Sequence, residues 1–187
     1  TEKTTRREFI VKTGMVTAGV ALGSSSLTAS AYSRISGANE KINVGFIGVG
    51  NRGSQLLEIF MKQPDVNIAA LCDTYEPYML RDRTKVHPRY LELGGRVPKM
   101  GETFPNKPVL YNDFRKLLEN KDIDAVCIAT PDHWHAIQMI NAVNAGKDVY
   151  VEKPGSHNIY EGRKMVEAAA KYDRIVQHGV QLRSSVA

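Results

Sequence analysis

The chain has 187 residues, of which 42% are hydrophobic and 24% charged. Those values sit near the globular average and exclude a collagen, a mucin stalk and a wholly disordered chain. Lys and Arg number 25 against 20 Asp and Glu, a net charge of +5, and five of the basic residues fall within the first 40 positions, so no dense basic stripe argues for nucleic acid.

Residues 1–31 read as an address rather than as part of a fold. A charged opening, TEKTTRREF, precedes an apolar run from Gly14 to Leu22 and a small-residue close at Ala29-Ser30-Ala31. That is the layout of an export leader. The apolar run is too short to span a bilayer. Thr5-Arg6-Arg7-Glu8-Phe9-Ile10 resembles the twin-arginine motif, with the usual lysine one place late at Lys12. An ordinary secretory leader is the alternative; the weak hydrophobicity of the run favours the twin-arginine form. Either route predicts an exported protein, in the periplasm or another extracytoplasmic space, without a stable membrane span. Twin-arginine export also carries folded proteins with their cofactors loaded. Residues 32–40 are small and polar and read as a linker, which leaves 41–187 as one domain.

Ile42, Val44, Phe46 and Ile47 predict a strand. Gly48-Val49-Gly50-Asn51-Arg52-Gly53 follows, and Leu56, Leu57, Phe60 and Met61 then line one helix face from Ser54 to Lys62. Strand, G-x-G-x-x-G and helix form the context that a dinucleotide fingerprint requires. Gly48 permits the turn, Gly50 lets the backbone approach a pyrophosphate, and Gly53 lets the helix pack on the strand. The helix start offers free N–H groups to the phosphates. A second strand, Val66 to Cys72, ends at Asp73, 20 residues past Gly53. A carboxylate there accepts ribose hydroxyls and repels a 2′-phosphate, which favours NAD over NADP. The alternative for Asp73 is a cap on the next helix.

The alternation continues. Thr84 to Pro108 reads as a surface loop or a lid. Val109-Leu110-Tyr111 predicts a short strand, Phe114 to Leu118 a helix, and Ile123 to Ala129 a central buried strand. His135 to Ala145 predicts a helix stopped by Gly146, and Val149 to Val151 a strand. Asn158 with Glu161 predicts the start of a helix running to Tyr172, and Ile175, Val176 and Val180 suggest a last strand. Six strands with helices between them predict an α/β fold, a doubly wound parallel sheet of the Rossmann type. In the usual strand order Cys72 and Cys127 lie two strand spacings apart, about 10 Å, beyond disulfide reach. Both cysteines read as buried and reduced.

Ala129-Thr130-Pro131-Asp132-His133-Trp134-His135, Ala145-Gly146-Lys147 and Glu152-Lys153-Pro154, taken with the glycine turn, resemble the Gfo/Idh/MocA family of nicotinamide-dependent oxidoreductases over residues 41–187. The resemblance implies hydride exchange with a secondary hydroxyl of a sugar or cyclitol. One branch of the family instead cleaves glycosides through a transient keto sugar. It implies that Gly48, Gly50, Asn51, Arg52, Gly53, Asp73, Thr130, Pro131, Glu152 and Lys153 serve the cofactor. The family's usual Asn is replaced by Asp132, and His135 is either a cofactor contact or a helix-start residue. Lys153 matches the lysine most associated with catalysis. An amine beside a positively charged ring gives up its proton more readily, which suits an acid/base group at the reacting hydroxyl. Gln181 and Arg183 are weaker candidates at the same edge. Asp132, His133 and His135 do not suggest a metal, because helix residues two apart point to different faces. Family members are about twice as long, with a C-terminal α+β domain that carries the substrate pocket and the oligomer contacts. The expectation is therefore the N-terminal half of an exported oxidoreductase that keeps its NAD bound, or a nucleotide-binding module without turnover.

Overall fold

The computed structural model describes residues 41–80, 82, 84–86 and 107–183. The expected leader, the linker and most of the 84–108 loop lie outside the described residues.

Six strands are described: β1 (Ile42–Ile47), β2 (Val66–Cys72), β3 (Val109–Tyr111), β4 (Ala125–Ile128), β5 (Asp148–Glu152) and β6 (Val176–Gly179). They form one sheet in the order β3-β2-β1-β4-β5-β6, with every adjacent pair parallel. The order reverses beside β1, so the carboxyl ends of β1 and β4 open a crevice at the switch point.

Helices α1 (Asn51–Met61) and α2 (Glu76–Leu80) lie on one face of the sheet; α3 (Phe114–Glu119), α4 (His135–Asn144) and α5 (Ile159–Tyr172) lie on the other. Alternation along the strands divides the core accordingly. Val44, Phe46, Leu71 and Cys127 pack with Leu56, Leu57 and Met79 under α1 and α2. Ile47, Cys72, Ile128 and Val151 pack with Leu117, Met139 and Met165 under the other layer. The inner strands are buried on both sides, which is why they read as continuous apolar runs. Cys72 and Cys127 are free and buried, face opposite sides of the sheet and are separated by β1. No disulfide can join them.

Several boundaries match the sequence expectation, including β2 and the end of α5. The Asn158 side chain accepts from the Glu161 N–H at 2.9 Å, as a cap should, whereas the Glu161 carboxylate accepts from the His157 N–H at 2.9 Å rather than from Asn158. Three elements are additional: α2, which contains Pro77, and 3-10 turns at Asp132–Trp134 and Gln181–Arg183. The fourth strand, Ala125–Ile128, is shorter than expected; just before it the Asp124 carboxylate accepts the Asn43 N–H at 2.8 Å. At the amino edge the buried Lys147 ammonium donates to the carbonyls of Asn120 (2.8 Å) and Ile123 (2.7 Å), pinning the start of β5 to the entry of β4. Among the described residues no helix is long and apolar enough to cross a membrane.

Candidate cofactor site

The site begins with the turn after β1. Gly48 has φ +85°, in the left-handed region that favours glycine, and a Cβ there would stand 2.9 Å from the Ala129 and Thr130 backbone. At Gly53 a Cβ would stand 2.0 Å from the Gly48 carbonyl oxygen, so α1 can start against β1 only because that atom is missing. At Gly50 the nearest atom to a built Cβ is Tyr78 Cε2 at 3.6 Å, which leaves open space over the turn. No side chain caps α1. Its first N–H groups are therefore available to an anion.

Asp73 closes the adjacent side. Its Oδ2 accepts the Val49 N–H at 2.9 Å and its Oδ1 accepts the Tyr75 N–H at 2.9 Å. Each carboxylate oxygen retains a lone pair that points to neither backbone group. The turn and the acid are thus joined directly, 24 residues apart in sequence.

Gly48, Gly50, Asp73, Thr130 and Pro131 line one cleft of about 520 Å³ at the carboxyl edge of the sheet. Thr130 Oγ1 donates to Gln138 Oε1 at 2.7 Å, which fixes the hydroxyl at the end of β4. Tyr78, Asp113, Arg115, Trp134 and Gln138 line the same cleft. None of these five was singled out from the sequence. The rule that ligands gather at strand carboxyl ends would have found Asp113 and Arg115, which follow β3. The Arg115 guanidinium holds the Asp113 carboxyl down at about 2. At the cleft floor burial, helped by Asp73 and Asp113, pushes the Cys72 thiol up to about 12, so it is a packing group rather than a nucleophile.

Asn51, Arg52, Gly53, His135, Glu152 and Lys153 are not among the residues that line the cleft. The His135 ring is buried; Nδ1 lies 2.6 Å from the Pro154 carbonyl oxygen and Nε2 lies 2.8 Å from that of Thr130. It braces the ends of β4 and β5 from behind. Arg52, inside the glycine turn, reaches the buried Glu152 carboxylate with Nε (2.7 Å) and Nη2 (2.6 Å) on Oε1. Glu152 Oε2 accepts the Lys153 N–H at 2.8 Å. The Lys153 side chain is exposed, and the Lys153–Pro154 peptide is cis. Asp132 and His157 face each other at 3.4 Å on the outer rim, and that contact holds the Asp132 carboxyl below its usual range.

These features fit a dinucleotide: a backbone cradle with no side chain at Gly50, an uncapped helix start, and a carboxylate at the end of the second strand. Comparisons with known proteins agree. Residues 42–180 match the model of the GFO_IDH_MocA family, described as an oxidoreductase family with an NAD-binding Rossmann fold. An alpha-N-acetylgalactosaminidase of Shewanella oneidensis is 33% identical over 183 residues, covering 89% of this chain and 37% of that protein. A glycosyl hydrolase family 109 protein of Solibacter usitatus is 28% identical over 184 residues, covering 98% of this chain and 40% of the relative. The scyllo-inositol dehydrogenase of Lactobacillus casei, solved with bound NAD(H) and scyllo-inositol, has a TM-score of 0.60 at 24% identity, over 78% of this chain and 38% of that one. The chain thus spans 37–40% of the length of these relatives.

Proposed function

The chain belongs to the Gfo/Idh/MocA oxidoreductase family as an NAD-binding Rossmann domain, and from that premise we propose that it serves a sugar or cyclitol oxidoreductase with Lys153 as the acid/base group. The observation that carries this reading is the placement of Lys153. It follows β5 directly, at the same sheet edge as the glycine turn and Asp73, and its segment is tied to both neighbours of the cleft, through Glu152 to the turn and through Pro154 and His135 to Thr130.

In this reading the backbone of Gly48–Gly53 and the first turn of α1 hold the pyrophosphate. Asn51 and Arg52 belong to that turn, and Asp73 accepts the hydroxyls of a ribose. The Asp73 charge disfavours a 2′-phosphate, so NAD is the proposed cofactor rather than NADP. Thr130 and Pro131 bound the cleft toward the reacting end. When bound, a nicotinamide dinucleotide supplies hydride acceptance and donation at the carbinol carbon. Lys153 Nζ, as the amine, takes the proton from the substrate's hydroxyl oxygen, and as the ammonium returns it in the reverse direction.

A second reading has its own support, since relatives at 28–33% identity are named as glycosyl hydrolases and as an alpha-N-acetylgalactosaminidase. There the oxidation is transient: a ketone formed on the sugar acidifies the neighbouring C–H, loss of that proton breaks the glycosidic C–O bond and expels the aglycone, water adds to the resulting double bond, and the hydride removed at the start would return to the ketone. Incubating the full-length protein that carries this domain with NAD and a panel of sugars, cyclitols and nitrophenyl glycosides separates the two. A dehydrogenase accumulates NADH in step with oxidised substrate and releases no nitrophenol. A redox-assisted glycosidase releases nitrophenol without net NADH. Dinucleotide binding with neither product would reduce the domain to a binding module and sink both readings. In either reading, Lys153→Met removes turnover, and turnover that survives it would contradict the acid/base role.

The proposed setting is extracytoplasmic, on the strength of the leader-like residues 1–31. A reporter fused to residues 1–40 should be exported, and converting Arg6 and Arg7 to Lys should stop it. Unchanged export would contradict the twin-arginine reading.

A further inference from the structure

The glycine turn and the Lys153 segment lie 100 residues apart in sequence and are joined by a side-chain bridge. We propose that Arg52 is a positioning residue for Lys153: acting through Glu152, it fixes the lysine's backbone and cancels the carboxylate charge that would otherwise bind its ammonium. This rests on Lys153 being the acid/base group.

The Glu152 side chain is only 3% exposed. A carboxylate removed from water must be answered by donors, and breaking such a buried pair is far more costly than breaking an exposed one. Oε1 is answered twice by Arg52, and Oε2 once by the Lys153 N–H. Both oxygens are therefore committed, one to the turn and one to the lysine's own backbone. Arg52 is itself held from a second side, where Nη1 donates to Gln55 Oε1 at 2.9 Å on the same helix. The guanidinium is a fixed strut rather than a mobile surface charge.

Two consequences follow for Lys153. Its main chain is clamped between the Glu152 carboxylate and the Pro154 carbonyl that meets His135. Its side chain is exposed, whereas the Glu152 carboxylate beside it in sequence is buried and its charge already matched by Arg52. Among the described residues no salt bridge joins Lys153 to an acid. An ammonium locked against a carboxylate would hold its proton too firmly to exchange it with a substrate hydroxyl. Because Arg52 lies inside the glycine turn, whatever fixes that turn also fixes the lysine's backbone.

A role limited to neutralising a buried acid would not alter the chemistry of Lys153, and trace acetylation makes the distinction. The 187-residue chain is treated with a small amount of acetic anhydride at fixed mildly alkaline pH. Labelling at Lys153 is read by peptide mass against the exposed Lys171. Only the amine reacts, so the rate reports how readily the lysine loses its proton. Arg52→Met uncovers the Glu152 charge and should slow Lys153 labelling about threefold relative to Lys171. Glu152→Gln leaves the Arg52 charge unanswered and should speed it by a similar factor. The double variant should return the rate to that of the parent, and Arg52→Lys should keep it there. If Arg52→Met does not fold, the opposite shift in Glu152→Gln and its reversal in the double variant still decide the matter. Lys153 labelling that stays at the parent rate in every folded variant would overturn the proposal. The readout needs neither substrate nor cofactor. Failure of the acid/base reading would instead appear as turnover surviving in Lys153→Met.

Discussion

Gly53→Ala is the most direct test of how the glycine turn is built. A methyl at residue 53 would stand 2.0 Å from the Gly48 oxygen and 2.8 Å from its carbon, whereas real Cβ contacts stay beyond 3.0 Å. The start of α1 must therefore retreat from β1 by about 1 Å, and the obstacle is backbone, which cannot rotate aside. That retreat strains the Ser54 Oγ to Val49 carbonyl bond at 3.0 Å and lifts Leu56 and Leu57 from the core. Overpacking of this kind costs about 1–3 kcal/mol, and a backbone clash places it near ~3. For a domain of this size that lowers the melting temperature by roughly 6–12 °C. Thermal unfolding followed by circular dichroism measures it. Gly50→Ala is the matched control, because its methyl meets only Tyr78 at 3.6 Å. It should melt within about 1 °C of the parent yet lose roughly tenfold or more in NADH affinity, about 1.4 kcal/mol. Gly53→Ala melting with the parent, or Gly50→Ala binding NADH as well as the parent, would refute this division of labour.

Three further outcomes are expected. Asp73→Ala removes the acceptor for the Val49 N–H and the proposed ribose contact, so NADH affinity should fall while NADPH affinity falls less or rises; an unchanged preference in competition titrations would exclude Asp73 as the selector. Burial, reinforced by Lys121, lowers the Lys147 ammonium below the ordinary lysine value, with Asp124 and Asp122 opposing. The unfolded chain therefore holds that proton to higher pH than the folded one, so in the window just below the ordinary lysine value of 10.5 the stability owed to Lys147 rises with pH. Denaturant melts of parent and Lys147→Met should diverge in the parent's favour across that window, and a constant difference would contradict the assignment. Both cysteines should resist a thiol reagent in the folded chain at neutral pH, since burial raises each thiol; rapid reaction of either would mean the sheet opens.

Much of this architecture was legible because the code for it is local. Period-two patterns mark β1 and β2 almost to the residue, the period-3.6 pattern places α1 but starts it at Ser54 rather than at Asn51 inside the glycine turn, and parallel strands buried on both faces betray themselves as apolar runs such as Val126-Cys127-Ile128. The glycine turn is equally local, since its spacing encodes the backbone it needs. The five-residue helix α2 was not legible: it is short and contains Pro77. Nor were the partners of the expected site residues. Nothing in the sequence pairs Arg52 with Glu152, or sets His135 between Thr130 and Pro154, because those contacts exist only once β1, β4 and β5 lie side by side. His135 carries a family motif, but its ring is spent on two carbonyls behind the cleft. The motif marked an important residue without marking its contacts.

A nicotinamide dinucleotide held at the carboxyl edge of the sheet can be tested where it binds. Trp134 is the only tryptophan in the chain and lines the cleft. Its emission overlaps NADH absorption, so titration of the 187-residue chain reports binding at that place directly. Saturable quenching with sensitised NADH emission is expected, and a weaker response to NADPH. Tryptophan emission that changes only by inner-filter dimming, with no saturation, would contradict binding there.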